Sequence, residues 1–242
     1  MTKKGCPRND VAYTTLIHGL CEDERISEAF ALYGKMSDDH GRPTVRTYTV
    51  LISALCRAGR RLEAFDLYRG MKERGCEPNF YTYSVLIDSL CKEKKLDDAR
   101  MMLNEILGKG LIPDAVIYNA LINGYCNDGK TDVAFQIMDS MASSGCKPDT
   151  RTYNGVIFGL CTEKKVHKAM ALFSRMLERD LKPNLVTYHL LICGQCKEGH
   201  LDSAFRLLHL MKENGFAPVS MLIDSLCKKG RLEEAFDSGY VK

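Results

Sequence analysis

The sequence predicts an all-α protein, a right-handed superhelical solenoid of helix-turn-helix repeats. Two observations carry that expectation. First, three residue types recur in register every 35 residues: tyrosine at 13, 48, 83, 118, 153 and 188, alanine at 29, 64, 99, 134, 169 and 204, and proline at 43, 78, 113, 148, 183 and 218. Second, each period holds two apolar patterns with helical spacing, such as Tyr83, Leu86, Ile87, Leu90 and Cys91, then Leu96, Ala99, Met102, Leu103 and Ile106. A helical hairpin of this size cannot bury both apolar faces alone. Stacking on its neighbours gives one continuous core, with the first helices on one surface and the second helices on the other.

Taken in order, residues 1–9 resemble the tail of a preceding repeat, because Gly5-Cys6 matches Gly75-Cys76. Six repeats follow, each with its tyrosine in fourth place: 10–44, 45–79, 80–114, 115–149, 150–184 and 185–219. Polar stretches such as "RAGR" at 57–60, "KEKK" at 92–95 and "KEGH" at 197–200 separate the two helices of a repeat. Gly-x-x-Pro, as at Gly75–Pro78 and Gly145–Pro148, stops the second helix and turns the chain. The alanine series puts a small side chain where two helices approach closely. Residues 220–242 begin a partial seventh repeat, and here the period slips. Leu222-Ile223-Asp224 lies 136 residues after Leu86-Ile87-Asp88, four short of four periods. With both ends ragged, the expectation is a piece of a longer array.

Composition agrees with a folded soluble chain: 45% hydrophobic, 27% charged. No apolar run approaches the ~20 residues of a membrane span, and "MTKKGCPRND" has no secretory or transit character. A net charge of +3 tolerates a polyanionic partner without demanding one. The eleven cysteines do not read as a disulfide framework. Cys21, Cys56, Cys91, Cys126, Cys161 and Cys196 follow the 35-residue period, and Cys6, Cys76 and Cys146 fall on a second series 70 apart. A residue locked to the period packs the same way in every repeat, which reads as small buried thiols in a reducing compartment.

The motif Thr152-Tyr153-Asn154, Val156-Ile157, Gly159-Leu160-Cys161, Ala169, Phe173, Met176 and Pro183-Asn184 resembles the pentatricopeptide repeat, of the plain type built from uniform 35-residue repeats. The absence of tryptophan and the 35-residue period separate it from the 34-residue tetratricopeptide repeat. The resemblance covers practically the whole chain. It implies sequence-selective binding of single-stranded RNA, one base per repeat read by two or three side chains. The partner is then RNA, with a recruited RNA-processing factor. No membrane, cofactor or metal is implied, and no enzyme activity. The setting implied is RNA processing, stabilisation or translation in a plant organelle, the mitochondrion or alternatively the chloroplast. A protein-binding scaffold of tetratricopeptide character is the alternative function. It predicts apolar or mixed residues on the first-helix surface instead of short polar ones.

The resemblance assigns base reading to the residue after each tyrosine and to the residue after each loop proline. The first set is Thr14, Thr49, Ser84, Asn119, Asn154 and His189, with Ser220 in the partial repeat. The second is Thr44, Asn79, Asp114, Asp149 and Asn184. All are polar, and most carry short side chains that meet a base edge at little rotamer cost. Helix capping alone also accounts for the second set, and less well for the first. The family's pairing gives adenosine for Thr49 with Asn79, guanosine for Ser84 with Asp114, uridine for Asn119 with Asp149, and cytidine or uridine for Asn154 with Asn184. The implied core is 5′-A-G-U-(C/U)-3′. Thr14 with Thr44 receives no base. His189 departs from the pattern, and its partner falls in the four-residue deficit. Val11, Arg46, Tyr81, Val116, Arg151 and Val186, two before each tyrosine, are implied to sandwich the bases. Arg57, Lys92, Lys197 and Lys228 follow the cysteine series and are implied phosphate contacts, whereas Glu22, Asn127 and Thr162 interrupt the track. A second basic series (Arg25, Arg60, Lys95, Lys130, Lys165, His200, Arg231) fits the negative C-terminal end of the first helix better than RNA.

Catalytic signals are missing. Cys193-Gly-Gln-Cys196 is a CxxC without the second ligand pair that zinc needs. No His-x-Glu of a zinc deaminase and no glycine-rich phosphate loop occur, and the acidic pair Asp97-Asp98 suits the start of a helix.

Overall fold

The recurrent residue after the loop proline starts a helix. In a computed structural model, which describes residues 10–38 and 41–217, Thr44, Asn79, Asp149 and Asn184 stand at N-cap positions in extended backbone. Each side chain accepts the backbone N–H of the third helical residue. Asp114 accepts that of Ile117 at 3.0 Å. Each cap satisfies one of the free N–H groups of a helix start, worth ~1 kcal/mol. After Thr44, Asp149 and Asn184 the third helical residue is a threonine that accepts the cap residue's own N–H in return.

Twelve helices and no strand are found among the described residues: α1 (Asp10–Glu22), α2 (Ile26–Asp38), α3 (Val45–Arg57), α4 (Arg61–Glu73), α5 (Phe80–Lys92), α6 (Leu96–Gly108), α7 (Ala115–Asn127), α8 (Thr131–Ser143), α9 (Thr150–Thr162), α10 (Val166–Glu178), α11 (Leu185–Glu198) and α12 (Leu201–Glu213). None is long and apolar enough to cross a membrane. Each odd-numbered helix ends at a residue with positive φ, namely Glu24, Gly59, Lys94, Gly129, Lys164 or Gly199. The next N–H then reaches back five residues, as from Arg60 to Leu55 O at 2.9 Å and from Lys165 to Leu160 O at 2.8 Å. The following helix starts at once. In α4, α6, α8, α10 and α12 it needs no side-chain cap. The residues 1–9 and 218–242, with Ser220, Lys228 and the partial seventh repeat, lie outside the described residues.

The chain divides within α7 into two blocks, Met1–Ile117 and Tyr118–Lys242. In the first block α1 packs on α2, α3 on α4 and α5 on α6, while α1, α3 and α5 stack in sequence. Its core holds Tyr48, Leu51, Ile52, Leu55, Tyr83, Leu86 and Ile87, with Ala29, Ala64 and Ala99 fully buried at the helix crossings. In the second block α9 packs on α10, α11 on α12, and α9 on α11. Tyr118, Tyr153 and Tyr188 and the alanines Ala134, Ala169 and Ala204 are buried in the same way. Each large side chain so buried is worth roughly 1.5–3 kcal/mol. Both blocks are stacks of helical hairpins with a continuous core, as the periodicity predicts.

The stacking has a fixed register, in which a residue on one odd-numbered helix meets the residue 33 positions later on the next, as Thr14 meets Thr47 and Asn154 meets Thr187. The cysteine series obeys it. A Cβ added at Gly159 would lie 2.7 Å from both Cys126 Cβ and Sγ, and one at Gly194 would lie 2.6 Å from Cys161 Sγ. Cys21 and Ala54 share one buried cluster in the first block. The sulfur of one repeat therefore seats against a small residue of the next. Cys21, Cys126 and Cys196 are buried, whereas Cys56, Cys91 and Cys161 are half-buried, as are Cys76 and Cys146. Burial pushes the thiols of Cys91 and Cys126 up to about 12 and that of Cys161 to about 11, so they pack as neutral groups.

Candidate nucleic-acid interface

The capping geometry and the 33-residue register together bring the two sets of polar residues to one place. At the junction of α9 and α11, Asn154 Nδ2 donates to Asn184 Oδ1 at 3.2 Å, and the Thr187 hydroxyl donates to Asn154 Oδ1 at 2.8 Å. At the junction of α3 and α5, the Thr49 and Thr82 hydroxyls are 2.7 Å apart, and Thr82 Oγ1 donates to Asn79 Oδ1 at 2.9 Å. At α1 and α3, Thr14 Oγ1 lies 2.8 Å from Thr47 Oγ1, which lies 3.2 Å from Thr44 Oγ1. The first residue of each of these pairs is largely buried between helices, and the second is exposed at the helix start.

Two pairs differ. The Ser84 hydroxyl turns back to Tyr81 O at 3.0 Å, while Asp114 holds only the N–H of Ile117 among the described residues. Asn119 is 5% exposed, and its Oδ1 has no hydrogen-bond partner. The neighbouring Thr152 hydroxyl donates instead to Asp149 Oδ1 at 2.9 Å. A buried acceptor left in this state costs ~1–3 kcal/mol. His189 is half-buried, with Nε2 3.5 Å from Cys193 Sγ.

Two positions before each tyrosine, the side chains point to solvent. Val11 is 71% exposed and Tyr81 61%, and Val116, Val186, Arg46 and Arg151 are exposed as well. In the first block Arg46 and Tyr81 line a recess of about 350 Å³ together with Thr49, Asn79 and Arg57. An adjoining recess of about 300 Å³ is lined by Arg57 and Lys92 with Ser53 and Ser89.

Arg57 donates to Cys21 O at 3.0 Å and Glu22 at 3.1 Å, and Lys92 pairs with Asp88 at 2.7 Å. Lys197 is exposed on α11. Exposed pairs of this kind are weak and exchangeable, so Arg57 and Lys92 remain available to another anion. The second basic series is occupied locally. Arg25 pairs with Glu28 at 2.7 Å, Arg60 with Glu63 at 2.6 Å, and Lys165 with Glu163 at 2.5 Å. The carboxylate partners raise Arg25, Arg60 and Lys165 above their ordinary values and lower Glu28 and Glu63. Among the described residues no cluster of three or more His, Cys, Asp or Glu is placed to hold a metal ion.

Sequence reasoning missed the third helical residue (Thr47, Thr82, Ile117, Thr152, Thr187). All five are fully buried. Their one sequence signal is the residue preceding each tyrosine, threonine in every case except Ala12 and Ile117.

The pattern of the PPR repeat family matches residues 8–57, 43–92, 113–162 and 152–197, and that of the PPR repeat matches 81–111, 186–216 and 219–237. Among solved structures, the pentatricopeptide repeat protein PPR10 from maize aligns with a TM-score of 0.75 at 26% identity, over 98% of this chain and 35% of that one. PPR10 in complex with an 18-nucleotide psaJ RNA element aligns at 0.61 and 24%, over 97% and 33%. The PPR domain of Arabidopsis thaliana protein-only RNase P 1, in complex with tRNA, aligns at 0.64 and 17%, over 77% and 98%, a likeness of fold. The chain spans about a third of the length of PPR10. No curated protein matches it.

Proposed function

The chain belongs to the pentatricopeptide repeat family, and on that premise we propose that it binds single-stranded RNA with one base read per repeat. The repeats are taken as 10–44, 45–79, 80–114, 115–149, 150–184 and 185–219. The observation that carries the reading is the recess of the first block. Arg46 and Tyr81 offer two faces for a base to lie between, Thr49 and Asn79 offer hydrogen-bonding groups, and Arg57 offers a cation. Stacking on an aromatic face contributes ~1–3 kcal/mol per base whatever its identity, so base choice falls to the polar pair.

Chemistry at the caps supports a readout. Asn79 Oδ1 is held by the Thr82 N–H and hydroxyl, which leaves the amide nitrogen as the outward donor. Asp149 Oδ1 is held likewise by Thr152, which leaves a second carboxylate oxygen as an acceptor only. The orphaned Asn119 Oδ1 needs a donor, and the N3–H of uridine is one. The reading assigns 5′-A-G-U-(C/U)-3′ to Thr49 with Asn79, Ser84 with Asp114, Asn119 with Asp149, and Asn154 with Asn184. It assigns no catalysis to this chain. The RNA is controlled by occupancy of a site in organellar processing, stabilisation or translation, with any recruited factor acting from outside.

Filter binding tests this. An oligonucleotide carrying AGUC should bind at least tenfold more tightly than its complement, and Asn119→Thr should move the third base of the core from uridine towards guanosine. Equal binding of both oligonucleotides would contradict the reading.

A further inference from the structure

The polar pairs share one backbone arrangement, yet they differ in how firmly they are set, and the difference follows what the side chain of the third helical residue bonds. At Asn184, the Thr187 N–H donates to Oδ1 at 3.1 Å, so the oxygen faces inward. That fixes the group approaching it from Asn154 as the amide nitrogen, at 3.2 Å, and leaves Asn154 Oδ1 for the Thr187 hydroxyl at 2.8 Å. Thr187 Oγ1 also accepts the N–H of Asn184 at 3.1 Å. Both amides are thereby held in one orientation, Asn154 with one donor hydrogen and Asn184 with both of its amide hydrogens uncommitted among the described residues. Thr47 and Thr82 make the corresponding links between Thr14 and Thr44 and between Thr49 and Asn79. The hydroxyls of Thr14, Thr49 and Ser84 all also reach a carbonyl of their own helix. At α7 the position is Ile117, which has no hydroxyl to link Ser84 with Asp114, and at α9 the Thr152 hydroxyl bonds Asp149 and not Asn119.

We propose that the third residue of each odd-numbered helix is a positioning residue for base choice. A threonine whose hydroxyl reaches both reading residues, as Thr187 does, presets the pair. Thr152, turned to Asp149 and not to Asn119, leaves Asn119 unset, and Ile117 leaves Ser84 and Asp114 unset. The inference rests on the RNA-reading function proposed above. It predicts that discrimination differs from repeat to repeat in a way the reading residues alone do not encode. The nucleotide facing Thr49 and Asn79, or Asn154 and Asn184, is chosen sharply, and the one facing Ser84 and Asp114 loosely.

The test uses the full chain in competition binding with four RNAs that differ at one nucleotide, repeated for the nucleotides of repeats 80–114 and 150–184, with thermal melts alongside. Loss of one buried, shared hydroxyl corresponds to about a fivefold change in a ratio of affinities. Thr187→Val should cut discrimination at the nucleotide of repeat 150–184 about fivefold and leave the other nucleotide's ratios unchanged, and Thr187→Ser should keep it. Ile117→Thr should raise discrimination at the nucleotide of repeat 80–114 by a similar factor. It is the arm that decides the matter if Thr187→Val does not fold. Unchanged ratios in both variants, or an equal loss of affinity for all four RNAs, overturn the proposal and leave the threonine a packing residue. If the unsubstituted chain discriminates at neither nucleotide, the RNA-reading function itself fails.

Discussion

The Asn154–Asn184 pair of the second block and the Ser84–Asp114 pair of the first occupy the same place in their repeats and are wired differently. In the second block the Thr187 hydroxyl donates to Asn154, whose amide nitrogen donates in turn to Asn184. In the first a serine bonds its own helix and an aspartate bonds only a backbone N–H among the described residues. The caps and the helix starts are alike, so backbone geometry does not set the wiring. The side chains do: Thr187 against Ile117 at the buried position, and Asn154 against Ser84 beside it. A repeat protein can thus hold its scaffold constant and grade its sites independently.

The largest expected effect removes one side of this comparison. Gly159→Leu forces a side chain into Cys126 and Thr131, where even a Cβ would sit at 2.7 Å. Overpacking of this size costs about 3 kcal/mol or more. Thermal melting should fall by on the order of 10 °C, read by circular dichroism. Next, Thr187→Val should cost ~1–2 kcal/mol, because it removes a buried hydroxyl and leaves Asn154 Oδ1 without its donor. Ile117→Thr should cost a similar amount, ~1–3 kcal/mol, since it trades a fully buried apolar side chain for a smaller one carrying a hydroxyl. Denaturant midpoints check the pair.

A smaller effect separates the two basic series. Arg57→Ala should lower the slope of log affinity against log salt by about 0.7, the share of one phosphate on a single strand. Arg60→Ala, whose guanidinium already holds Glu63, should leave the slope unchanged. The smallest effect concerns the turns. Lys164 has φ +60° where the equivalent Gly199 has φ +82°. Lys164→Gly should stabilise the second block by roughly 0.5 kcal/mol, the relief of a left-handed backbone less the entropy cost of glycine.

Much of the fold was legible in the sequence because the period repeats each physical constraint. Tyr83, Ala99 and Cys91 recur at fixed offsets, and each offset is one packing contact. The polar pairs were legible as two series of short side chains. Their convergence was not, since nothing in a one-dimensional pattern states that a residue meets the one 33 positions on. Thr47, Thr82, Thr152 and Thr187 were hidden by proximity to the tyrosine, where a β-branched residue reads as an ordinary helix entry. The small partners of the cysteines, Gly159 and Gly194, were hidden because a glycine inside a helix looks like a weakness until the neighbouring sulfur is placed against it. The thiols were read as buried throughout, and three of the six are only half-buried, because Cys56, Cys91 and Cys161 lie at the margin of the stacked faces.

Selection of bound sequences from a random RNA pool, using the unsubstituted chain, tests the one-repeat, one-base account most directly. The account predicts a run of four consecutive selected positions reading A, G, U and C or U from 5′ to 3′, with the G position chosen less sharply than the A position. A pool enriched for no base at any position, or a run in the opposite order, would contradict it.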